Sequence, residues 1–320
     1  MWVEDEEFDL DRHLLRIGLP SPGGRRELTE VCGHIATAPL DRGRPLWEMW
    51  VIEGVCDTDP CAGGVLAVMT NVHYAAVDGV SGANLFSQLC TVEPDVPAPE
   101  PVGGNGSAGR LQIAAGGLVR FAVRPWQLAT LGRARGGLTM AAPFAGPPTR
   151  FNASVTADRN VALAQLDLDD IKKVKDRFKV TVNDVVMALC ASVLRWFLSD
   201  YGELPARSLV AMVPVSVHEK SNRPGHNQLS GMFCSLETQI ADPADRLRAI
   251  ARADAAAKNH SSVISPTLLQ DWAQLASLNG KLNVGVISCP DLLPDLWRLV
   301  DDFDVALEEL LECTGPTVRF

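Results

Sequence analysis

The stretch from Asn71 to Gly79, NVHYAAVDG, decides which fold this sequence predicts. The run before it, Gly64 to Met69, is short, apolar and partly β-branched, which predicts a buried strand. The pair Asp78-Gly79 indicates a tight turn after that strand. We expect Gly79 to meet a backbone requirement there, either a positive φ or a close approach of another chain segment. The sequence therefore places polar side chains where a buried strand ends and the chain turns.

This stretch resembles the His-His-x-x-x-Asp-Gly signature of the CoA-dependent acyltransferase superfamily, with Tyr74 in place of the second histidine. Four more segments resemble bacterial wax ester synthase/acyl-CoA:diacylglycerol acyltransferases, in the family's order: Leu40–Glu48, Gly146–Asn152, Thr181–Val186 and Val213–Val217. The last of them departs from the family pattern, because His218 stands where the family has arginine. On these matches, which run from about Trp2 to Ser277, the chain is identified as a member of that family.

The resemblance implies a reaction without a metal or another cofactor. A histidine takes the proton of an acceptor hydroxyl, on a diacylglycerol or a fatty alcohol, and the oxygen attacks the thioester of acyl-CoA. In the family the second histidine is this base, so Tyr74 occupies the position of the base. A phenol with a pKa of about 10 is a poor base near neutral pH. We therefore expect an acyl-CoA-dependent O-acyltransferase whose activity is weak or lost.

The remaining site residues follow from the same resemblance. Successive residues of a strand point to opposite faces, so a strand that continued past His73 would turn this imidazole away from Tyr74. His73 is then a hydrogen-bonded structural histidine, and Asp78 orients the turn. Five residues are assigned to the substrate channel by the resemblance: Pro45, Trp47, Asn183, Asp184 and Ser216. Asn183 and Asp184 also have a simpler interpretation as ordinary caps of a helix start.

The resemblance implies an α/β fold with two chloramphenicol-acetyltransferase-like halves around a central channel. We expect a first half at 1–100, a basic crossover linker at 101–157 and a second half at 158–320. Trp2–His13 resembles an internal stretch of the family, which predicts an N-terminally incomplete first half. Near Asn279-Gly280 the sequence passes directly to a segment that resembles a late strand, which predicts an internal deletion. Missing pieces of this kind leave strand edges unpaired or the channel open.

Hydrophobic periodicity predicts the individual elements. Helices are expected over Glu27–Ala38, Asp167–Phe178, Thr181–Tyr201, Asp242 to about Lys258, and Val305–Leu311. Strands are expected over Glu48–Glu53, with Trp50 and Ile52 on one side, over Val161–Leu168 and over a buried Leu209–Val217. The long helix, with Thr181 or Asn183 as its N-cap, is predicted to bury a stripe of four residues: Val186, Leu189, Val193 and Phe197.

Composition excludes several classes of function. The net charge of −10 argues against nucleic-acid binding. No run of 18 apolar residues occurs, and the acidic N-terminus is unlike a signal peptide. The eight cysteines show no zinc-ligand spacing, which predicts reduced, buried thiols in a cytoplasmic protein. Residues 101–157 hold six arginines and no acidic residue. The segment 110–135 is interpreted as part of the linker or as a peripheral contact with a membrane or lipid droplet, and the two interpretations are compatible.

Two other classes of function stay open on the sequence. The first is a catalytically inactive protein that binds acyl-CoA or lipid. The second is a condensation-type acyl-transfer enzyme of peptide or polyketide assembly, which shares the histidine motif. The segments at Pro45–Glu48 and Thr181–Asp184 favour the lipid family instead.

Overall fold

The structure is a computed structural model that describes residues 7–56, 66–73, 146–216, 229–260 and 280–315. Within these ranges the chain forms seven strands and five longer helices. The strands are β1 (Leu14–Gly18), β2 (Trp47–Glu53), β3 (Leu66–Val72), β4 (Asn160–Asp167), β5 (Val210–Ser216), β6 (Leu229–Ser235) and β7 (Lys281–Ser288). The helices are α1 (Arg25–Thr37), α2 (Leu168–Phe178), α3 (Val182–Asp200), α4 (Pro243–His260) and α5 (Leu296–Glu312). Helices and strands are interspersed along the chain, so the fold mixes both kinds of element.

The first sheet is built from β1, β2 and β3. β1 pairs in parallel with β2, and β2 pairs antiparallel with β3. Helix α1 covers one face of this sheet, because Val31 and Ile35 of the helix pack with Ile52 and Trp50 of β2. Full burial of an aliphatic side chain such as Ile52 stabilises the fold by about 1.5–3 kcal/mol. The predicted division of β2, with Trp50 and Ile52 on one side, is confirmed.

The other face of this sheet corrects a prediction. Gly64–Met69 was expected to form a buried strand, yet Leu66 and Val68 of β3 are 56% and 52% exposed. Ala67 and Met69, the alternate residues, are the ones that pack toward α1. An apolar run carries no period-2 signal, so the sequence alone could not distinguish a strand with one covered face from a strand with two.

The main core surrounds α3. Thr181 is its N-cap, as predicted, and the side chain of Thr181 accepts a hydrogen bond from the backbone N–H of Asp184. The predicted stripe is partly wrong, since Val186 is half-buried while Val185 and Ala188 are fully buried. Helices α2, α4 and α5 contact α3 from several sides, so its buried surface is wider than one stripe.

The same helix passes a test of length and composition for a membrane span. Its 19 residues are apolar enough, and 56% of the apolar window is buried inside the protein. Leu189, Val193 and Phe197 belong to the main hydrophobic core. A core helix meets the same criteria of length and hydropathy as a membrane helix, and here the apolar residues pack against protein.

Strands β4 and β7 pair antiparallel, and α5 covers one of their faces. Helix α5 begins nine residues before its predicted start at Val305. Asp295 caps it by accepting a hydrogen bond from the backbone N–H of Arg298. Leu296, Leu299 and Val300 in the first turns of the helix are buried. The prediction was wrong because the acidic residues of this helix obscured an apolar face with helical spacing.

Strands β5 and β6 form an antiparallel pair, from Val210 opposite Ser235 to Ser216 opposite Leu229. The prediction of a fully buried strand here is wrong, because Met212 is 64% exposed. Its neighbour Val213 packs against the main core. As in β3, one face of the strand is covered and the other is accessible among the described residues.

Two close contacts join these parts of the chain. A Cβ on Gly33 of α1 would lie 2.5 Å from the carbonyl oxygen of Arg159, so glycine permits the close approach of α1 to the start of β4. The backbone N–H of Arg159 also donates to the hydroxyl of Thr37 at 3.1 Å. The helix of the first sheet therefore docks against the start of the second sheet.

Candidate active site

The His73–Gly79 motif of the sequence begins where β3 ends. Val72 is the last residue of the strand, and the backbone N–H of His73 donates to the carbonyl oxygen of Leu46 at 2.9 Å. Because the strand stops before His73, the alternation argument that turned its imidazole away from Tyr74 does not apply. The role predicted for His73 stays a prediction, and the last hydrogen bond of the pairing reaches the carbonyl oxygen of Leu46, directly before β2.

Two predicted channel residues lie beside His73. The backbone N–H of Trp47 donates to the carbonyl oxygen of Pro45 at 2.8 Å, which forms a tight bend before β2. Trp47 then opens β2 opposite Val72. The structure therefore brings Pro45, Trp47 and His73 together, although they are far apart in the sequence.

A residue that the sequence analysis left unassigned completes this group. His13 is 3% exposed, and its ring stacks on that of Trp47 with centroids 4.6 Å apart. The ring of Phe8 lies on it as well, at 5.2 Å. The Nδ1 atom of His13 is 2.6 Å from the carbonyl oxygen of Trp47. No periodic signal marks His13, because its burial depends on an aromatic partner 34 residues later in the chain.

Three predicted catalytic residues, Tyr74, Asp78 and Gly79, lie outside the described residues. Their assigned roles stay predictions. Ser216 is described through its backbone as the last residue of β5, opposite Leu229.

Asp184 is a buried helix cap. One of its carboxylate oxygens, Oδ2, accepts hydrogen bonds from the backbone N–H and the hydroxyl of Thr181, both at 2.7 Å. Its side chain is 4% exposed. Thr181 and Asp184 thus form a reciprocal capping box, which stabilises a helix start by about 1 kcal/mol. This arrangement matches the simpler interpretation of Asp184 and does not by itself support a role at the channel.

Asn183 has a more specific environment. Its amide nitrogen lies 3.3 Å from Oδ2 of Asp254 on α4 and 3.5 Å from the sulfur of Met187. Because a carboxylate only accepts hydrogen bonds, the amide nitrogen must face Asp254. Asp254 is 2% exposed and was missed by the sequence analysis. Its position after Leu247 and Ile250, at helical spacing on the buried face, is the signal that could have found it.

The described cysteines are not joined in disulfides, and their environments differ. Burial raises the pKa of Cys190 to about 11, which makes it a poor nucleophile. A hydrogen bond from Thr156 lowers the pKa of Cys289. Cys313 is exposed, so the prediction of buried thiols fails there. Among the described residues, no group of three histidine, cysteine or acidic side chains is arranged to hold a metal ion.

A separate cleft of about 560 Å³ lies between α1 and the start of α5. Its lining mixes Arg26 and Arg159 with Glu30, Asp158 and Asp295. The guanidinium of Arg26 covers the ring of Trp297 at 4.9 Å. Of the predicted site residues that the structure describes, none lines this cleft.

Comparisons with known proteins agree with the motif. The family model of the wax ester synthase/diacylglycerol acyltransferase catalytic domain matches residues 1–186, and the model of the C-terminal domain of the same family matches residues 226–276 and 273–311. A protein of Mycobacterium tuberculosis that bears the name diacylglycerol O-acyltransferase is 48% identical over 390 aligned residues, which cover 98% of this chain and 77% of that protein. A Mycobacterium bovis protein of the same name is 38% identical over 263 residues, which cover 78% of this chain and 56% of that protein.

Solved structures give the same family. The wax ester synthase/diacylglycerol acyltransferase from Marinobacter aquaeolei VT8 superposes with a TM-score of 0.69 at 25% identity, over 98% of this chain and 83% of that chain. The first condensation domain of the calcium-dependent antibiotic synthetase shares the fold, with a TM-score of 0.52 at 14% identity over 96% of this chain and 76% of its own. The family matches and the motif that begins at His73 lead to one assignment: this chain belongs to the wax ester synthase/diacylglycerol acyltransferase family.

Proposed function

We propose that this chain is an acyl-CoA-dependent O-acyltransferase that transfers a fatty acyl group to a diacylglycerol or a fatty alcohol at the turn from His73 to Gly79. One observation carries the proposal: the match to the catalytic domain of the family spans residues 1–186 and includes this turn. The contact between His73 and Leu46 supports it, because it joins the start of the turn to the Pro45–Trp47 segment that also resembles the family.

In the proposed reaction, the hydroxyl oxygen of the acceptor forms a bond with the thioester carbonyl carbon. The carbon–sulfur bond breaks, and the sulfur leaves as CoA thiol with the proton that the hydroxyl lost. Acyl-CoA is a substrate, and the proposed chemistry calls for no metal or resident cofactor. No covalent acyl-enzyme forms. The chain positions both substrates, and a group that accepts the proton is the only chemical group that the reaction requires of it.

Tyr74 limits this reaction. An imidazole with a pKa of about 6.5 is half neutral near physiological pH, whereas a phenol with a pKa of about 10 stays protonated. A protonated phenol cannot take the proton of an alcohol. We therefore propose a slow enzyme. The second candidate function, an acyl-CoA- or lipid-binding protein without turnover, is favoured by this same substitution.

The test is the release of CoA thiol from a long-chain acyl-CoA by the purified native chain, with diacylglycerol and with fatty alcohol as acceptors. We expect slow release that depends on the acceptor, together with formation of the ester. Saturable acyl-CoA binding with no ester from either acceptor would replace the enzyme by the binding protein. No binding and no ester would contradict both functions.

We also propose that the second half lacks a segment near Asn279-Gly280. Two observations support this. The aligned length of 390 residues exceeds the 320 residues of the chain, so part of the mycobacterial relative has no counterpart here. The match to the C-terminal domain also divides into two pieces that meet at residues 273–276.

We further propose a cytoplasmic protein that contacts a membrane or lipid-droplet surface through residues 110–135. The charge supports this, because residues 101–157 hold six arginines and no acidic residue in a chain of net charge −10. The protein should sediment with phosphatidylserine-containing vesicles at low salt. It should be released in about 0.5 M salt, because salt at that concentration shortens the screening length to a few Å. Equal binding by a chain with Arg120 and Arg124 replaced by Gln would contradict this contact.

A further inference from the structure

His13 has a buried imidazole whose polar atoms need an explanation. It is 3% exposed and lies directly before β1. Its ring packs against those of Phe8 and Trp47, with interplanar angles of 27° and 26°, and those two rings lie 6.4 Å apart, so the three form one cluster. A phenylalanine at position 13 would pack in the same cluster, so packing explains the ring but not its nitrogen atoms. The role of His13 therefore depends on the hydrogen bonds of its ring nitrogen atoms.

The imidazole makes one directed hydrogen bond. Its Nδ1 lies 2.6 Å from the carbonyl oxygen of Trp47. A carbonyl oxygen only accepts hydrogen bonds, so Nδ1 bears the hydrogen and donates it. In a neutral ring this fixes the tautomer with an unprotonated Nε2. The backbone of His13 also accepts a hydrogen bond from the N–H of Met49 at 2.7 Å. His13 thus holds the first residues of β2 at two points.

The backbone that His13 holds is also the backbone to which His73 is attached. The carbonyl oxygen of Leu46, one residue before Trp47, accepts the hydrogen bond from the N–H of His73 at 2.9 Å. Trp47 itself pairs with Val72, the last residue of β3. The segment Leu46–Trp47 therefore has His13 as its partner on one side and the end of β3 as its partner on the other.

We propose that His13 is a positioning residue for the acyl-transfer turn that begins at His73. It acts through the backbone of Leu46 and Trp47: the imidazole fixes the carbonyl of Trp47, and the adjacent carbonyl of Leu46 then fixes the N–H of His73. The importance of this contact for catalysis rests on the proposed function, which places the reaction in the turn after His73. The contact itself can be measured without turnover.

The expected effects on stability and on rate distinguish this role from a purely structural one. Loss of a single hydrogen bond has a modest effect on stability. A misplacement of about 1 Å at a reacting group can lower the rate roughly 10²-fold. Loss of the hydrogen bond alone should therefore change the position of the turn and the rate far more than it changes the unfolding temperature.

The two tyrosines of the chain, Tyr74 and Tyr201, allow a direct measurement. Incorporation of 3-fluorotyrosine gives two ¹⁹F resonances, which the variant Tyr201→Phe assigns. Tyr74 reports on the residue next to His73. Tyr201 serves as the internal reference, because it lies at the end of α3 under the guanidinium of Arg150, whose carbon is 3.9 Å from the ring centroid.

Two substitutions of His13 divide its contributions. His13→Phe keeps a stacked ring and removes the donor, and we expect it to shift or broaden the Tyr74 resonance while the Tyr201 resonance stays unchanged. His13→Gln keeps an N–H donor and should leave the Tyr74 resonance closer to the native one. Ile52→Val is the matched control, because Ile52 is 1% exposed in the same sheet but makes no contact in this hydrogen-bond chain.

An unchanged Tyr74 resonance in folded His13→Phe would overturn the proposal, as would an equal change in Ile52→Val. If His13→Phe does not fold, the ¹⁵N shifts of the His13 ring in the native protein decide instead: a hydrogen on Nε2 rather than Nδ1 overturns the proposal.

In a Tyr74→His background, His13→Phe should lower kcat about tenfold or more with little change in KM, and His13→Gln should restore most of it. Absence of turnover in that background contradicts the proposed function, whereas the ¹⁹F result still decides the role of His13.

Discussion

Tyr74→His is expected to raise the rate of acyl transfer by about 10²- to 10⁴-fold, the range that a well-placed general base contributes. The physical reason is the proton. A neutral imidazole can accept the hydrogen of the acceptor hydroxyl at pH 7, and a phenol cannot. The measurement is CoA thiol release from a long-chain acyl-CoA, with diacylglycerol and fatty alcohol as acceptors, on the native chain and the variant in parallel. The rate of the variant should also rise with pH through about 6.5, because only the neutral ring acts as the base.

Two control variants define what a gain would mean. Tyr201→His makes the same exchange at the only other tyrosine and should leave turnover at the native level. Tyr74→Phe removes the phenol hydroxyl and should not lower the native rate, because that hydroxyl is not the base. A large loss in Tyr74→Phe would show that the phenol takes part in the reaction. Native turnover as fast as that of Tyr74→His would contradict the idea that Tyr74 limits the rate, and His73 would then be the first residue to replace.

Local signals in the sequence were sufficient for part of this fold. The hydroxyl of Thr181 before an apolar run predicted the start of α3, because an N-cap is a local signal. The period-2 division of β2 predicted that Trp50 and Ile52 share one side of the strand. The family resemblance was correct because its segments, from Pro45 to Val217, are spaced along the whole chain in order.

Other features depend on contacts that the sequence does not display. Which face of β3 or β5 is exposed depends on the elements that cover the other face. Leu66 and Met212 each lie in an apolar run, so the sequence predicts that they are buried. His13 is buried because Phe8 and Trp47 enclose it, and Asp254 is buried because α3 packs on α4. The early start of α5 is a different case, since the cap at Asp295 and the spacing from Leu296 were present in the sequence. The catalytic group itself was predicted by resemblance, and its central residue, Tyr74, lies outside the described residues.

Arg246→Ala is expected to lower the free energy of unfolding by about 2–5 kcal/mol, the range observed when a large buried side chain is truncated to alanine. Arg246 is 1% exposed on α4. Its guanidinium donates to the carbonyl oxygens of Ile240 and Ala241 at 2.7 and 3.1 Å, and to the hydroxyl of Ser192 on α3 at 2.6 Å. These bonds tie the segment before α4 to the central helix. Their removal leaves the buried hydroxyl of Ser192 and two less buried carbonyl oxygens without this donor, which costs about 1–3 kcal/mol, and it also opens a cavity.

One opposing effect must be weighed against this loss. Burial lowers the pKa of the Arg246 guanidinium, because the charged form has given up its hydration. Alanine recovers that desolvation cost, so the net change reports which contribution is larger. Arg246→Met separates them, since it refills the cavity and leaves the carbonyls unpaired. Thermal and urea unfolding measure both variants, and Arg248→Ala, two residues away at an exposed ion pair with Asp245, should change stability by no more than about 1 kcal/mol. A stability of Arg246→Met equal to or above that of the native chain would show that desolvation dominates and that the hydrogen bonds of Arg246 contribute little net stability.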